Sequence, residues 1–386
     1  MLNFSFQNIK TIFRRELDLI AGDHSIILTV LIAPLLYAIM LGSIYLNKEA
    51  NQIAFAVVDM DKTATTRTLV RLLASSPQIK IVDEFKDYDD AVDHIYEMNI
   101  ESFIYFPQGF EKNLKKLHHA DVKLFLNTTR FLPSNEVNKA VQKIMLTAGA
   151  GIRLKYYAAQ GINPKYAIEM VMPLQADVRP LYNPTNNYGD FLLPGLFLLI
   201  IQQTLLLGFG ESVAKDAEKR SFNKLLSSGI LEYVTGKTGF YFALYIAYFI
   251  FFLSVIFPWF DLPLKGSISA IAVMSILFIV SIISLAILIG SFIKDQKRYM
   301  EILAFSTYPF FLVSGYSWPV SSMPFFMQWI SWIVPTTSFF KAFIKLASMG
   351  GSWQHIMPQL FNLLLLSLVY TALAFWRLSY LKKSNF

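Results

Sequence analysis

Few residues in this sequence have the type and spacing that site chemistry requires. His118 and His119 form the one adjacent pair among five histidines. They lie on a polar stretch, and a solvated helix end explains them more simply than a metal site. Asp59-Met60-Asp61 resembles a cation-binding turn, but two carboxylates there also suit a strand-to-helix turn with Asx capping. There is no cysteine, which excludes disulfides and thiolate metal sites. Neither GxxxxGK[ST] nor HExxH occurs, so the chain is not expected to be a P-loop ATPase or a zinc protease of that type. We expect no catalytic set and no metal site. What remains is polar groups set inside apolar runs. Gln202 and Gln203 fall mid-way along one such run, where an interhelical hydrogen bond is the simple expectation and a water-filled path the alternative. Tyr308, Phe310, Phe311 and Trp318 could line a hydrophobic route or face lipid. The densest charge outside the long polar insertion is the block Lys215, Asp216, Glu218, Lys219, Arg220 and Lys224. It lies between 20 uncharged residues (Phe191 to Gly210) and 23 more (Thr238 to Phe260).

Those runs set the class. The chain has 386 residues, 54% hydrophobic and 16% charged, with 34 Phe, which is a membrane composition. The net charge of +7 is uneven. Residues 47–189 hold 17 basic and 16 acidic side chains, so the remainder carries +6. No basic patch with interleaved aromatics argues for nucleic acid.

Residues 1–24 contain an amphipathic segment, with Phe6, Ile9, Ile12, Phe13, Leu17 and Ile20 near one face, expected as an interfacial cytoplasmic helix or one packed on the protein. Ser25 to Asn47 is 23 residues without charge, long enough for a first span (25–46) and longer than the ~7–15 residues of a signal-peptide core. Pro34 should kink it. Residues 47–189 alternate apolar strand-like runs (53–58, 79–82, 102–106, 122–126, 176–181) with helical ones (63 onward, 88–98, 110–117, 134–160), an inserted α/β domain. Spans two to four follow at 191–210, 238–260 and within 266–293, with polar segment 211–231 between the first two. Ile302 to Phe340 is 39 residues without charge, broken by Gly315, Pro319, Pro324 and Pro335. This predicts a fifth span to about Val313 and then re-entrant helices over 314–345. The last span lies within 356–376.

The expected fold is therefore an α-helical polytopic membrane protein of six transmembrane helices plus re-entrant outer helices, with an inserted α/β extracytoplasmic domain. Basic residues gather at the N-terminus, in 211–237, in 294–298 and at the C-terminus, all on one side of a six-span topology. The positive-inside rule makes that side cytoplasmic, with both termini, and the 47–189 domain external. Lys341 and Lys345 are the exceptions.

Two stretches resemble the type-2 permease family of ABC transporters. Ser212 to Ile230 follows that family's pattern after the second span, with Asp216 and Glu218 at its two acidic positions and Leu225 and Leu226 at its apolar pair. It departs at Arg220 (Gly in the pattern), Ser221 (Thr), Asn223 (Glu) and Gly229 (Pro). Val313 to Phe343 matches a more specific pattern at Gly315, Pro319, Met323, Pro324, Pro335 and Thr337. The resemblance implies a bacterial inner-membrane exporter subunit, paired with a second permease copy as homo- or heterodimer. It implies docking to a separate ABC ATPase pair that binds ATP and Mg, through a coupling helix at 211–231 (Lys215, Asp216, Glu218, Lys219, Arg220, Leu225, Leu226). An envelope adaptor outside the membrane is a further candidate partner. The motif 314–345 would sit at the exit, and Gln202, Gln203, Tyr308 and Phe311 would be substrate-path candidates for a hydrophobic or amphipathic compound. A non-transporting receptor or scaffold with a ligand-binding outer domain is the alternative.

Overall fold

The computed structural model describes residues 5–116, 118–171, 178–184, 186–293 and 295–383. The chain divides into two compact units, 1–46 with 180–386, and 47–179. The expected domain boundary at 189 thus moves to 179, and residues 180–187 group with the helical unit.

The helical unit opens with α1 (Phe6–Ala21) and α2 (His24–Ile44). Within α2, Leu28–Ile32 forms a π-helical turn just ahead of Pro34. Proline has no N–H for the carbonyl four residues back, which here belongs to Val30. The Tyr248 hydroxyl lies 3.0 Å from the carbonyl oxygens of both Val30 and Leu31 and satisfies them. The proline is accommodated by a widened turn and a neighbour's hydroxyl.

Unit 47–179 is built on a four-stranded sheet in the order β2-β1-β3-β4. Its elements run β1 (Ile53–Asp59), α3 (Ala64–Ala74), β2 (Ile79–Phe85), α4 (Tyr88–Tyr96), β3 (Ser102–Phe106), α5 (Phe110–Lys115), β4 (Lys123–Leu126), α6 (Phe131–Ala159) and α7 (Pro164–Val171). β1 pairs parallel with β2 and β3, and β4 pairs antiparallel with β3. β1 is apolar along nearly its whole length because both faces are covered. Phe55 and Val57 join one cluster with Leu69, Ile104 and Val137, while Ala56 and Val58 join another with Ala91 and Phe103. The expected strand at 176–181 falls partly outside the described residues, and 178–181 form no strand.

The Asp59–Asp61 turn is used for capping. Asp59 accepts the backbone N–H groups of Asp61 and Lys62 and the Thr66 hydroxyl. Asp61 accepts N–H from Gly109 and Glu111, both at 2.8 Å. Thr63 and Thr66 close a capping box on α3. His119 pairs with Asp121 at the surface.

The helical unit resumes with α8 (Tyr188–Glu218), α9 (Phe222–Ser227), α10 (Ile230–Trp259), α11 (Ile268–Phe292), α12 (Gln296–Phe305), α13 (Thr307–Val313), α14 (Phe325–Ile333), α15 (Pro335–Phe343) and α16 (Trp353–Lys383). Among the described residues, five helices are long and apolar enough to cross a membrane: α2, α8, α10, α11 and α16. The expected fifth span is instead two short helices, α12 and α13, broken at Ser306. Lys297, Arg298 and Glu301 occupy its first turns, and at ten and seven residues neither helix alone is long enough to cross, so a crossing here takes the two in series. α11 packs between α8 and α16 and contributes Phe278, Ile279 and Ile282 to one continuous core.

The Asp61 contacts generate a pH prediction. Burial raises its carboxyl pKa, but the N–H groups of Glu111 and Gly109 and the Thr63 hydroxyl outweigh that and hold it below the ordinary value. Its stabilisation is therefore complete above the unfolded value of ~3.9 and disappears as pH falls through the lower folded one. Asp61→Asn should weaken this unit by roughly 1–3 kcal/mol at neutral pH. Amide hydrogen exchange of β1 in the full chain should show that loss, and the difference from wild type should close in acid.

Candidate functional site: a buried charge cluster joining four segments

The sequence between Gly210 and Glu218 contains no helix breaker, and Glu, Ala and Lys favour helix. α8 therefore continues through it for 31 residues, about 46 Å, against a hydrocarbon core of about 30 Å. Segment 211–231 is thus not one surface helix. Its first part is the protruding end of the second span, and only α9 stands alone. The chain turns between them at Arg220, which has φ +50°, a left-handed conformation. This is one of the positions where the family pattern has glycine, the residue that adopts it without strain. At Gly229 φ is +124°, and a Cβ there would lie 1.9 Å from a Glu232 carboxylate oxygen. Proline, the pattern residue, cannot take that conformation.

The protruding end of α8 is buried by α1. Ile12, Glu16 and Ile20 recur every four residues on the covered face of α1, so a carboxylate sits within an apolar stripe. α1 lies against α10, and a Cβ on Gly236 would come within 2.9 Å of both the Ile12 side chain and the Ile9 carbonyl. α1 is a helix packed on the protein, with Phe6 left exposed.

This docking assembles four charged groups. Lys237 Nζ lies 2.7 Å from Glu16 and 2.7 Å from Asp216. Arg15 donates to Asp216 at 2.7 Å. Glu16, Asp216 and Lys237 are at most 1% exposed. Two carboxylates face two cations, so the set is neutral, as burial demands. The Tyr233 hydroxyl donates to Asp216 at 3.1 Å, and that of Tyr241 to Glu16 at 3.2 Å. Ser212 bonds Glu16 and receives Lys237 at 2.7 Å, and Ser221 closes on Asp216. Burial disfavours the Arg15 cation, but Asp216 beside it outweighs that and keeps its pKa above the ordinary value.

A second, more polar knot lies alongside. Lys215 pairs with Asp23 ahead of α2. Gln296, opening α12, donates to Glu211 at 2.7 Å and Asp23 at 3.1 Å, and its backbone N–H donates to Glu218. Burial raises the Asp23 carboxyl pKa, but the Lys215 and Gln296 bonds outweigh this and lower it. The N-terminal helix, the ends of α8 and α10, and the start of α12 are therefore tied together.

The sequence candidates separate accordingly. Asp216, Leu225 and Leu226 are buried, and Lys215 nearly so, whereas Glu218, Lys219, Arg220 and Lys224 are exposed. Lys294 lies outside the described residues. Gln202 accepts from Thr336, and Gln203 donates to the Leu303 carbonyl at 2.7 Å, so both make interhelical hydrogen bonds. Phe311 is buried against Tyr316, and Tyr308 is exposed. The motif residues at 315–337 fall at element boundaries. Gly315 has φ +78°, Pro319 precedes a single 3-10 turn, Met323 and Pro324 lead into α14, and Pro335 opens α15. Thr337 is buried in α15. Sequence reading missed Glu16, Lys237, Tyr233 and Tyr241. The available signal was a carboxylate at the centre of an i, i+4 apolar stripe and a lysine at the mouth of an apolar span.

Residues 24–376 match the model of the ABC-2 family of transporter proteins, and the chain belongs to that family. It is 23% identical over 366 residues to a probable multidrug ABC transporter permease, YbhR, of Escherichia coli K12, covering 92% of this chain and 95% of that protein. It is 20% identical over 383 residues to a second such permease of that strain, YbhS, covering 98% and 97%. A linearmycin resistance permease protein, LnrN, of Bacillus subtilis 168 is 20% identical over 336 residues, covering 83% and 86%. The chain is an ABC transporter permease and a multi-pass membrane protein.

The charge balance makes a sharp prediction. Lys237→Met leaves two buried carboxylates facing only Arg15 and should cost about 3–5 kcal/mol. Adding Glu16→Gln restores neutrality and should recover part of that loss. Thermal unfolding of the purified variants would measure both. A double mutant no more stable than the single would contradict the coupling.

Proposed function

We propose that this chain is the non-catalytic membrane subunit of an ATP-driven exporter, moving a hydrophobic or amphipathic compound out of the cytoplasm or inner leaflet. The observation that carries this reading is the mechanical joining of α1, α8 and α10 through one buried ionic network, with α12 hydrogen-bonded alongside through Gln296 and with Glu218, Lys219, Arg220 and Lys224 exposed beside it. A separate ATPase pair that binds ATP and Mg pushes on that exposed ridge. The network passes the displacement into the second and third spans as a rigid block, because separating its charges in a low-dielectric interior is costly. In this reading the ridge and both termini face the cytoplasm of a bacterial inner membrane. Unit 47–179 lies outside it, where an adaptor could dock. A second permease copy completes the pathway, and the segment 314–345 forms its outer mouth. The Escherichia coli relative is a probable multidrug permease and the Bacillus subtilis relative a linearmycin resistance permease, which supports export of a small-molecule cargo.

The test uses the exposed residues, because changing Asp216 would perturb folding. The triple substitution Lys219→Glu, Arg220→Glu and Lys224→Glu should leave the thermal midpoint nearly unchanged. It should abolish co-purification with the cognate ATPase and permease-dependent ATP hydrolysis. Intact assembly and hydrolysis in that variant would refute docking at this ridge.

A further inference from the structure

Lys341 and Lys345 are the two cations of the segment 302–376, and the charge pattern puts them opposite the other basic clusters. No Asp or Glu occurs from Ile302 to Phe386, so the helices that carry the two lysines and their cavity supply no carboxylate. Among the described residues Lys341 makes no ion pair or side-chain hydrogen bond. Burial, and then the charge of Lys345, pull its ammonium pKa below the ordinary value. Lys345 is held differently: it donates to the His355 carbonyl at 2.8 Å and to the Gln359 amide oxygen at 3.2 Å.

Lys341 borders a cavity of about 260 Å³ between α15 and α16, lined also by Thr337, Ser338, Gln359, Asn362 and Trp332. Thr337 is 4% exposed, yet its hydroxyl has no hydrogen-bond partner among the described residues. A buried hydroxyl left without a partner costs about 1–3 kcal/mol, so a ligand oxygen here would gain by pairing with it. Asn362 is fixed at the opposite wall by its 2.7 Å bond to Ser338. Asn362 donates its amide hydrogens to Ser338 and the Trp332 carbonyl. The pocket lining thus offers a cation, two hydroxyls, the Gln359 amide and no acid, with Lys345 held just behind Gln359. That is the complement of an oxyanion.

The surroundings say which oxyanion. α16 is 31 residues long, about 46 Å, so its first turns, which hold Gln359, rise to the headgroup layer of a core about 30 Å thick. Below Asn362 on the same helix face, Leu365 and Val369 are exposed and apolar, and the exposed Trp332 lines the rim. An anion with aliphatic tails fits a charged pocket that opens onto such a face; a free anion leaves the apolar part uncovered.

We propose that this pocket binds the phosphate headgroup of an anionic phospholipid, with Lys341 as its counter-charge, Thr337 as a hydroxyl donor and the acyl chains along α16 at Leu365 and Val369. The lipid would pin the outer helices α14 and α15 at the interface. It rests only on the chain being embedded in a membrane, not on the identity of its cargo or ATPase.

Native mass spectrometry of the purified full-length protein tests it, with phosphatidylglycerol, phosphatidylcholine and inorganic phosphate as probes. Phosphatidylglycerol should be retained over phosphatidylcholine. Lys341→Gln should weaken that retention roughly tenfold or more, the scale of one charged hydrogen bond. Lys341→Arg should retain it, and Lys382→Gln, at the other end of α16, should not change it. Asn362→Asp, which puts a carboxylate in the pocket, should also abolish the preference and serves if Lys341→Gln misfolds. Equal binding of the two lipids, or unchanged preference in both pocket variants, overturns the proposal. Saturation of the site by inorganic phosphate with no lipid preference would show a free-anion site and also overturn it.

Discussion

The helical unit depends on keeping four charges neutral inside a dry interface. Glu16 and Asp216 are out of water, and each carboxylate there would be strongly unfavourable alone. Lys237 lies at hydrogen-bond distance from both, and Arg15 supplies the remaining positive charge. Since the four groups come from α1, α8 and α10, the helices are fixed in one register. A slide of any one helix by a turn would separate two of the three ion pairs. Apolar packing alone would not give that constraint, since lipid tails compete with side chains for apolar surface.

Tyrosine hydroxyls donate to backbone carbonyls of α2 and α8 at three places. Tyr248 serves the carbonyls near Pro34. Tyr316 donates to the Phe191 carbonyl at 2.5 Å, and Tyr299 donates to that of Leu206 at 2.8 Å. Two of these tyrosines also reach a glycine: a Cβ on Gly195 would lie 2.4 Å from the Tyr316 ring, and one on Gly210 would lie 1.8 Å from the Tyr299 hydroxyl. The high aromatic content therefore has a structural use beyond the membrane interface. It supplies hydroxyls at depth and rings that fill the gaps left by glycine.

Much of this was legible from local chemistry. Long uncharged runs gave α2, α8, α10, α11 and α16, because length and apolarity are what a bilayer demands. Strand-helix alternation gave the order of elements in unit 47–179, and Thr63 marked the start of α3. The fifth span was not legible. Ile302 to Val313 is apolar enough to suggest a crossing, but whether it is straight or broken at Ser306 depends on its packing against α8, where Gln203 bonds the Leu303 carbonyl. The polar segment after α8 was misjudged for a related reason. Charge density suggested a solvated surface helix, yet several of those charges are paired and buried.

The sequence by itself determined the class of protein, the positions of most spans and the break points of the outer segment. These rest on hydropathy and on the backbone limits of Gly and Pro, which act over a few residues. Only the tertiary structure decided which charges serve the interior and which the surface. Arg15 and Glu16 meet Asp216 and Lys237 across 201 and 221 residues of sequence. A charge looks the same in sequence whether water or a counter-ion solvates it. The difference is set by the partner's distance, which exists only once the helices have packed.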